Sequence, residues 1–504
     1  MVQKTIPVSP LSAGQHVRAM LALGLPLIGS SLAQMALHVT DTVMMGWYGV
    51  TELAALVIGS SLFFNVFVLG AGFGNAVMPM VAAALGRGDE AQVRRDARMG
   101  MWLSVGFGIL CYPLFWWSEP ILLMLRQKPD VAALAADFMA IAGLGMIPAL
   151  LVRTLANYLA ALERAQVVLW VTLAAVVLNA GLCWLLIFGN AGAPALGVRG
   201  AAIASVSVQT ATAVVLAILA ARIAALRRFR LFQRFWRADL PGLRGVFRLG
   251  LPIGLTSVAE GGMFIASALM MGTIGKVELA AHGIAMQCSS ITFMVHVGLS
   301  SAATVRAGRA MGQADVAGLR QGARVAVALS LGFSLLTVVL FLALPRALIS
   351  AFLDLSQPEA AAIIAYGTIL LALAAAFQVA DAGQVMALGL LRGVHDTRVP
   401  MWLAAISYWL IGIPVSWVLA FPAGLGGVGL WIGLVIGLMF AAALLMTRFW
   451  MRAPRLHDDI RPEGIRPDDV RPDDVRPDSV RPDDVRPDSV RPDSVRTGAS
   501  AAPR

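Results

Sequence analysis

The sequence is poor in charge: Asp, Glu, Lys and Arg make up 13% of its 504 residues, against roughly 25% in soluble globular chains. With 58% hydrophobic residues and a mean hydropathy of +0.77, that scarcity excludes an ordinary soluble enzyme and indicates an integral membrane protein. Cysteine is scarce as well. Cys111, Cys183 and Cys288 each lie in an apolar run, and an odd count in such surroundings argues against a disulfide framework or a metal cluster. No His-Glu-x-x-His, phosphate-binding loop or serine elbow occurs, so an enzyme is not expected. Gly86-Arg-Gly-Asp89 matches an intramembrane aspartyl protease pattern, but Asp89 borders a charged stretch running to Arg98 and reads as a loop acid. The start of the chain lacks a short apolar segment followed by a small-residue cleavage site, so the first hydrophobic run is expected to stay in the mature protein.

What is present is a succession of apolar runs. Twelve are long enough to span a bilayer, at 19–46, 52–80, 99–118, 131–154, 166–188, 198–224, 247–273, 279–305, 324–344, 360–391, 400–420 and 426–449. The net charge of +10 conceals a division: residues 458–504 hold 12 of the 29 acids and 9 of the 39 bases, which leaves a core near +13. Nucleic acid is excluded as a partner because no soluble basic domain exists to bind it. Arginines gather in alternate loops (Arg87, Arg94, Arg95, Arg98, then the 225–246 linker), whereas the other loops have only Arg126, Lys128, Arg199, Lys276 and Arg346. By the positive-inside rule both termini face the cytoplasm.

Shifted by 226 residues, the chain matches itself without a gap. Leu23-Gly-Leu-Pro26 meets Leu249-Gly-Leu-Pro252, Glu52-Leu-Ala-Ala55 meets Glu278-Leu-Ala-Ala281, and 25 of 76 pairs from Leu23 to Arg98 are identical, against roughly one in ten by chance. Each half has six spans, so the halves share one orientation, an all-α design of two parallel six-helix lobes that is common in transporters. The expected organisation is an N-terminal lobe to 225, a basic linker at 226–246, a C-terminal lobe at 247–450 and a tail from 451. That tail repeats Arg-Pro-Asp every five residues, which prevents helix and sheet and predicts disorder.

Most acids of the core sit in loops or at helix ends. Asp41, Glu260 and Asp381 lie inside spans 1, 7 and 10, where an ionised carboxylate costs about 2.5–3.5 kcal/mol even on the lenient insertion scale. Arg153 is the one base read as deep within a span, so pairing accounts for one acid at most. Hydrogen-bonded neutral carboxyls are the structural alternative; a water-accessible cavity binding protons, a metal cation or a cationic substrate is the functional one. At the 226-residue shift Asp41 pairs with Ser267, and Glu260 with Gln34. The shared frame is structural, and acids that break it are the better candidates for chemistry. His38, one turn before Asp41, and Gln34, Gln287, Gln378 and Gln384 either line a cavity or bond across helices. Pro26 and Pro252 read as static kinks.

Asp41-Thr-Val-Met-Met-Gly46, Gly250-Leu-Pro-Ile-Gly254 with Glu260, and Leu391-Arg-Gly-Val-His-Asp-Thr397 together resemble the multidrug and toxic compound extrusion (MATE) family, over about residues 17–450. The three acids are similar to its NorM-like branch. The resemblance implies a secondary antiporter in a bacterial inner membrane, exporting cationic amphipathic drugs and dyes in exchange for sodium ions or protons by alternating access, with no cofactor. It makes Glu260 and Asp381 cation-binding carboxylates, tentatively for sodium, and Asp41 the N-lobe carboxylate tied to protons or substrate. It also places Asn179 on the N-lobe cavity. The family often has a tyrosine one turn before the span-10 acid; here Phe377 stands there. A monomer is expected, in contact with membrane lipid. The alternatives are a lipid-linked saccharide flippase of the same broad superfamily, which needs more basic residues in its cavity, and a non-transporting scaffold docking through the tail.

Overall fold

The computed structural model describes residues 12–453, and the Arg-Pro-Asp repeat lies outside them. Twelve of its helices are long and apolar enough to cross a membrane. They are α1 (Ala13–Tyr48), α2 (Val50–Gly86), α3 (Glu90–Trp116), α4 (Pro129–Ala161), α5 (Ala165–Phe188), α6 (Val198–Arg222), α7 (Leu240–Ile274), α8 (Lys276–Gly312), α9 (Val316–Ala343), α10 (Ala360–Gly393), α11 (Arg398–Ala420) and α12 (Gly426–Arg452). Outward-facing apolar side chains such as Leu110, Val177 and Leu336 are well exposed, as lipid-facing surface requires.

Several helices outrun the hydrophobic stretches that mark them. Span 2 was expected to end at 80 and span 3 to begin at 99, yet α2 continues to Gly86 and α3 starts at Glu90. Hydropathy measures the thickness of the bilayer, whereas a helix ends where its backbone is capped. Asp89 supplies that cap by accepting a hydrogen bond from the Gln92 amide at 2.9 Å. Its repeat partner Asp315 caps α9 in the same way through the Gly318 amide at 2.8 Å. The residue before each cap is left-handed, Gly88 in one half and Ala314 in the other. Asp89 is therefore a loop acid, as the sequence indicates.

The repeat is visible in how the halves meet. Gly72 of α2 lies against Gly250 and Gly254 of α7, so close that a methyl group on Gly72 would sit 2.5 Å from the Gly250 carbonyl oxygen and the Gly254 nitrogen. The repeat equivalents of Gly72 and Gly250 are Gly298 and Gly24, and these pack α8 against α1: a methyl on Gly298 would meet the Ile28 backbone at 2.6 Å. Two glycine seams thus join the sequence halves, each letting backbones approach where lipid provides no hydrophobic drive. Further contacts accumulate toward the end that bears the α2–α3 loop. There Gly312 abuts the Ala83 carbonyl, Arg306 bonds His16 at 2.8 Å, and Arg309 pairs with Glu163.

The Leu391–Thr397 segment acts as a clasp at the same end. Asp396 accepts hydrogen bonds from Arg448 at 2.8 Å and Arg452 at 3.2 Å, both on α12. Thr397 donates to the Leu249 carbonyl on α7 at 3.2 Å. Between α10 and α11, His395 is left-handed (φ 58°) and faces the Pro79 carbonyl, and burial holds its imidazole pKa below the ordinary 6.5. The motif holds four helices in register.

Candidate functional site

In the N-terminal half, Gln34, His38 and Asp41 fall at i, i+4 and i+7 on α1 and share one face. They line a cavity of about 350 Å³ enclosed by α1, α2, α4, α5 and α6. Its apolar wall includes Phe63, Phe64, Phe67 and Phe138, with His38 meeting Phe64 edge-on at 6.3 Å. Asp41 is held by three donors. Asn179 reaches Oδ1 at 2.6 Å, the Cys183 thiol reaches the same oxygen at 3.3 Å, and Ser205 reaches Oδ2 at 3.3 Å. Asn179 and Cys183 are one turn apart on α5, which aims both at α1. Cys183, read from the sequence only as lying in an apolar run, thus has a polar role beside Asp41. Arg153 also lines the cavity, but its partner is Asn75, at 2.8 Å, rather than an acid.

The C-terminal acids form a separate group. Gln384, nearly one turn after Asp381 on α10, donates to Glu260 Oε1 on α7 at 2.8 Å. Asp381 is 2% exposed, and Tyr408 of α11 is fully buried. Phe377 packs against Phe264 at 6.1 Å and Trp431 at 5.7 Å. Gln378 turns toward α8, donating to Thr292 at 2.6 Å. Asp381 Oδ1, Gln384 Oε1 and the Tyr408 hydroxyl are buried without a hydrogen-bond partner. These are oxygen donors, a set that suits a hard monovalent cation. Among the described residues there is no cluster of three or more His, Cys, Asp or Glu.

The 350 Å³ space is lined only by residues 34–212. Phe377, Gln378 and Gln384 therefore do not line it, and Gln287 joins neither group. Arg392, just beyond the span expected at 360–391, lies inside α10. Tyr408 escaped notice altogether. It lies in a π-helical stretch of α11, Ile406–Gly412, and the widened turn alters which residues face inward. Its signal was a tyrosine inside an apolar run of a chain with only five tyrosines.

Comparison with known proteins covers both halves. The family profile described as MatE matches residues 26–185 and 252–418. The probable multidrug resistance protein NorM of Rhizobium meliloti is 48% identical over 435 residues, which is 86% of this chain and 93% of the relative. The protein of the same name from Agrobacterium fabrum is 45% identical over 455 residues, 90% and 98% of the two chains. Among solved structures, that of MATE in complex with MaL6 superposes with a TM-score of 0.81 at 19% identity, covering 88% of this chain and 97% of the other. The outward-facing conformation of a multidrug resistance MATE family transporter gives 0.78 at 19% identity, covering 89% and 99%. The twelve-helix fold is shared with these structures, and the chain belongs to the MatE family of multi-pass membrane transporters, which are not enzymes.

Proposed function

We propose that the chain is a NorM-like multidrug efflux transporter that exports cationic amphipathic organic compounds in exchange for sodium ions or protons. The observation that carries this is the division of three membrane-embedded carboxylates between an aromatic-walled N-lobe cavity and a buried C-lobe pair. A carboxylate out of water is stable only with a proton or cation beside it, so each group favours positively charged occupants. The phenylalanines around Asp41 suit the flat apolar part of an organic cation. The Glu260–Asp381 pair, with the hydroxyl of Tyr408, suits a small ion.

In this reading the α2–α3 loop is cytoplasmic, and the lobe contacts near it close the inner end. An ion arriving from outside occupies the C-lobe pair and favours release of the drug. Parting of the two halves at the glycine seams and at the contacts near that loop then exposes the sites inward. The ion gradient does the work, at about 2.3 kcal/mol per charge per 100 mV. Arg153 is the one arginine or lysine lining the N-lobe cavity, which disfavours an anionic pyrophosphate cargo.

Reconstitution in liposomes tests this. Dye efflux under an imposed sodium or proton gradient is expected, and Asp41→Asn, Glu260→Gln and Asp381→Asn are each expected to reduce it at least tenfold. If all three exchange as fast as the parent, the carboxylates do not couple transport. If neither gradient moves any organic cation, the antiporter reading fails.

A further inference from the structure

A third concavity lies away from both carboxylate groups, where the linker between the lobes folds back on α3. It has a volume of about 650 Å³ and is lined by Arg94, Arg95 and Arg98 of α3 and by Arg230, Arg234 and Arg237 of the linker, with Asp239 as its one acid. That acid is already engaged: it pairs with Arg95 and caps α7 by accepting from the Gly242 amide at 3.3 Å. Among the described residues the other five guanidinium groups have no carboxylate within ion-pair reach.

The cavity is built rather than incidental. Trp102 donates to the Phe235 carbonyl at 3.1 Å, and Arg98 to the Arg234 carbonyl at 2.8 Å. Leu226, Phe229 and Leu231 of the linker are buried. Arg98 is 6% exposed, and its Nε has no partner. Its repeat equivalent, Arg324, sits at the same position on α9 and is exposed to solvent. The linker therefore does something specific to the N-terminal half. It places a buried arginine with an unmet donor among five others, an arrangement that like-charge repulsion disfavours unless an anion is present.

We propose that this cavity binds the phosphate headgroup of an anionic phospholipid. A phosphodiester oxygen matches the guanidinium fork, and the surroundings select a lipid over a free anion. Trp236 is 86% exposed and Leu240 71% exposed, both within a few residues of the lining arginines. An exposed tryptophan beside arginines at the ends of spanning helices marks the membrane interface, and an acyl chain has apolar surface there to lie against. The lipid bridges α3 and the linker, the one described connection between the two lobes' six-helix sets, and so reinforces the anchorage that Trp102 and Arg98 begin. The inference is independent of which drug or ion is transported.

The test uses the full chain, stripped of lipid in neutral detergent and titrated with phosphatidylglycerol or phosphatidylcholine, with bound lipid counted by native mass spectrometry. Phosphatidylglycerol is expected to bind at least tenfold more tightly. Arg94→Gln with Arg237→Gln, at the rim of the cavity, is expected to weaken it roughly 25-fold, about fivefold for each arginine. Arg324→Gln, at the matching place in the other half, is expected to change nothing. Arg98→Gln serves as a second variant, and the rim pair keeps the test valid should that chain fail to fold. Equal retention of the two lipids, or unchanged binding in the rim variant, overturns the proposal. Binding of inorganic phosphate as tight as that of phosphatidylglycerol also overturns it, by making the site one for a soluble anion.

Discussion

Gly72→Ala adds one methyl group at the seam between α2 and α7. The new carbon would lie 2.5 Å from the Gly250 oxygen and the Gly254 nitrogen and 2.7 Å from the Gly254 Cα, whereas ordinary contact begins near 3.4 Å. All three atoms are backbone, so no side chain can swing aside, and the helices must separate by about 1 Å. Overpacking of this kind costs about 1–3 kcal/mol. If the seam forms only when the loop-bearing end of the bundle is closed, that cost falls on the closed state and shifts the equilibrium roughly 5- to 150-fold toward opening. The pair Glu163→Cys and Arg309→Cys reports on that end, because the native residues form an ion pair across the lobes. With Cys111, Cys183 and Cys288 replaced by alanine, oxidative cross-linking of the new pair should fall steeply in Gly72→Ala. Gly332→Ala is the control: it has open space around it, and relief of a helical glycine should stabilise by about 0.5–1 kcal/mol. Unchanged cross-linking and an unchanged unfolding midpoint in Gly72→Ala would refute the argument that the seam holds the end closed.

Gln384→Leu removes the hydrogen bond to Glu260, worth about 1–2 kcal/mol between membrane helices. Ion-driven efflux should fall roughly 5- to 30-fold, while Gln287→Leu, outside both groups, should match the parent; equal rates would detach Gln384 from coupling. His395 gives a pH signature. Because its folded pKa lies below 6.5, its contribution to stability is complete above that value and is lost as pH falls through the depressed folded pKa. The thermal midpoint in detergent should therefore decline on acidification from pH 7, and His395→Asn, which tolerates the left-handed backbone, should flatten that decline. An identical slope in the variant would assign it to other groups.

The sequence exposed what depends on periodicity and composition. Twelve spans, the 226-residue repeat and the misplacement of Asp41, Glu260 and Asp381 are all readable because a membrane restricts where charge and backbone polarity can go. The resemblance placed Asn179 on the N-lobe cavity, but its hydrogen bond to Asp41 was not foreseen. What escaped depends on three-dimensional neighbours. Tyr408 faces the C-lobe acids through a π-turn that no spacing rule foretells, and Arg392 looked like loop charge because hydropathy ends before the helix does. The separation into two sites was hidden for a similar reason, since residues on different helices carry no label saying which lobe interior they enter. Burial of Arg98, but not of Arg324, arises from a linker that crosses one half only.

Gly49 is the whole connection between α1 and α2, and Gly275 plays the same part between α7 and α8. The 36 and 37 residues on either side of Gly49 make arms of about 55 Å each at 1.5 Å per residue. A joint of one extended residue has no slack, so each pair behaves as a bent lever. Asp41 rides near the bend, and Gly72 lies well along the other arm. Turning such a lever by about 5° carries its far end roughly 5 Å, close to one helical pitch. A displacement too small to notice around the carboxylate thus becomes a full step where the two lobes touch.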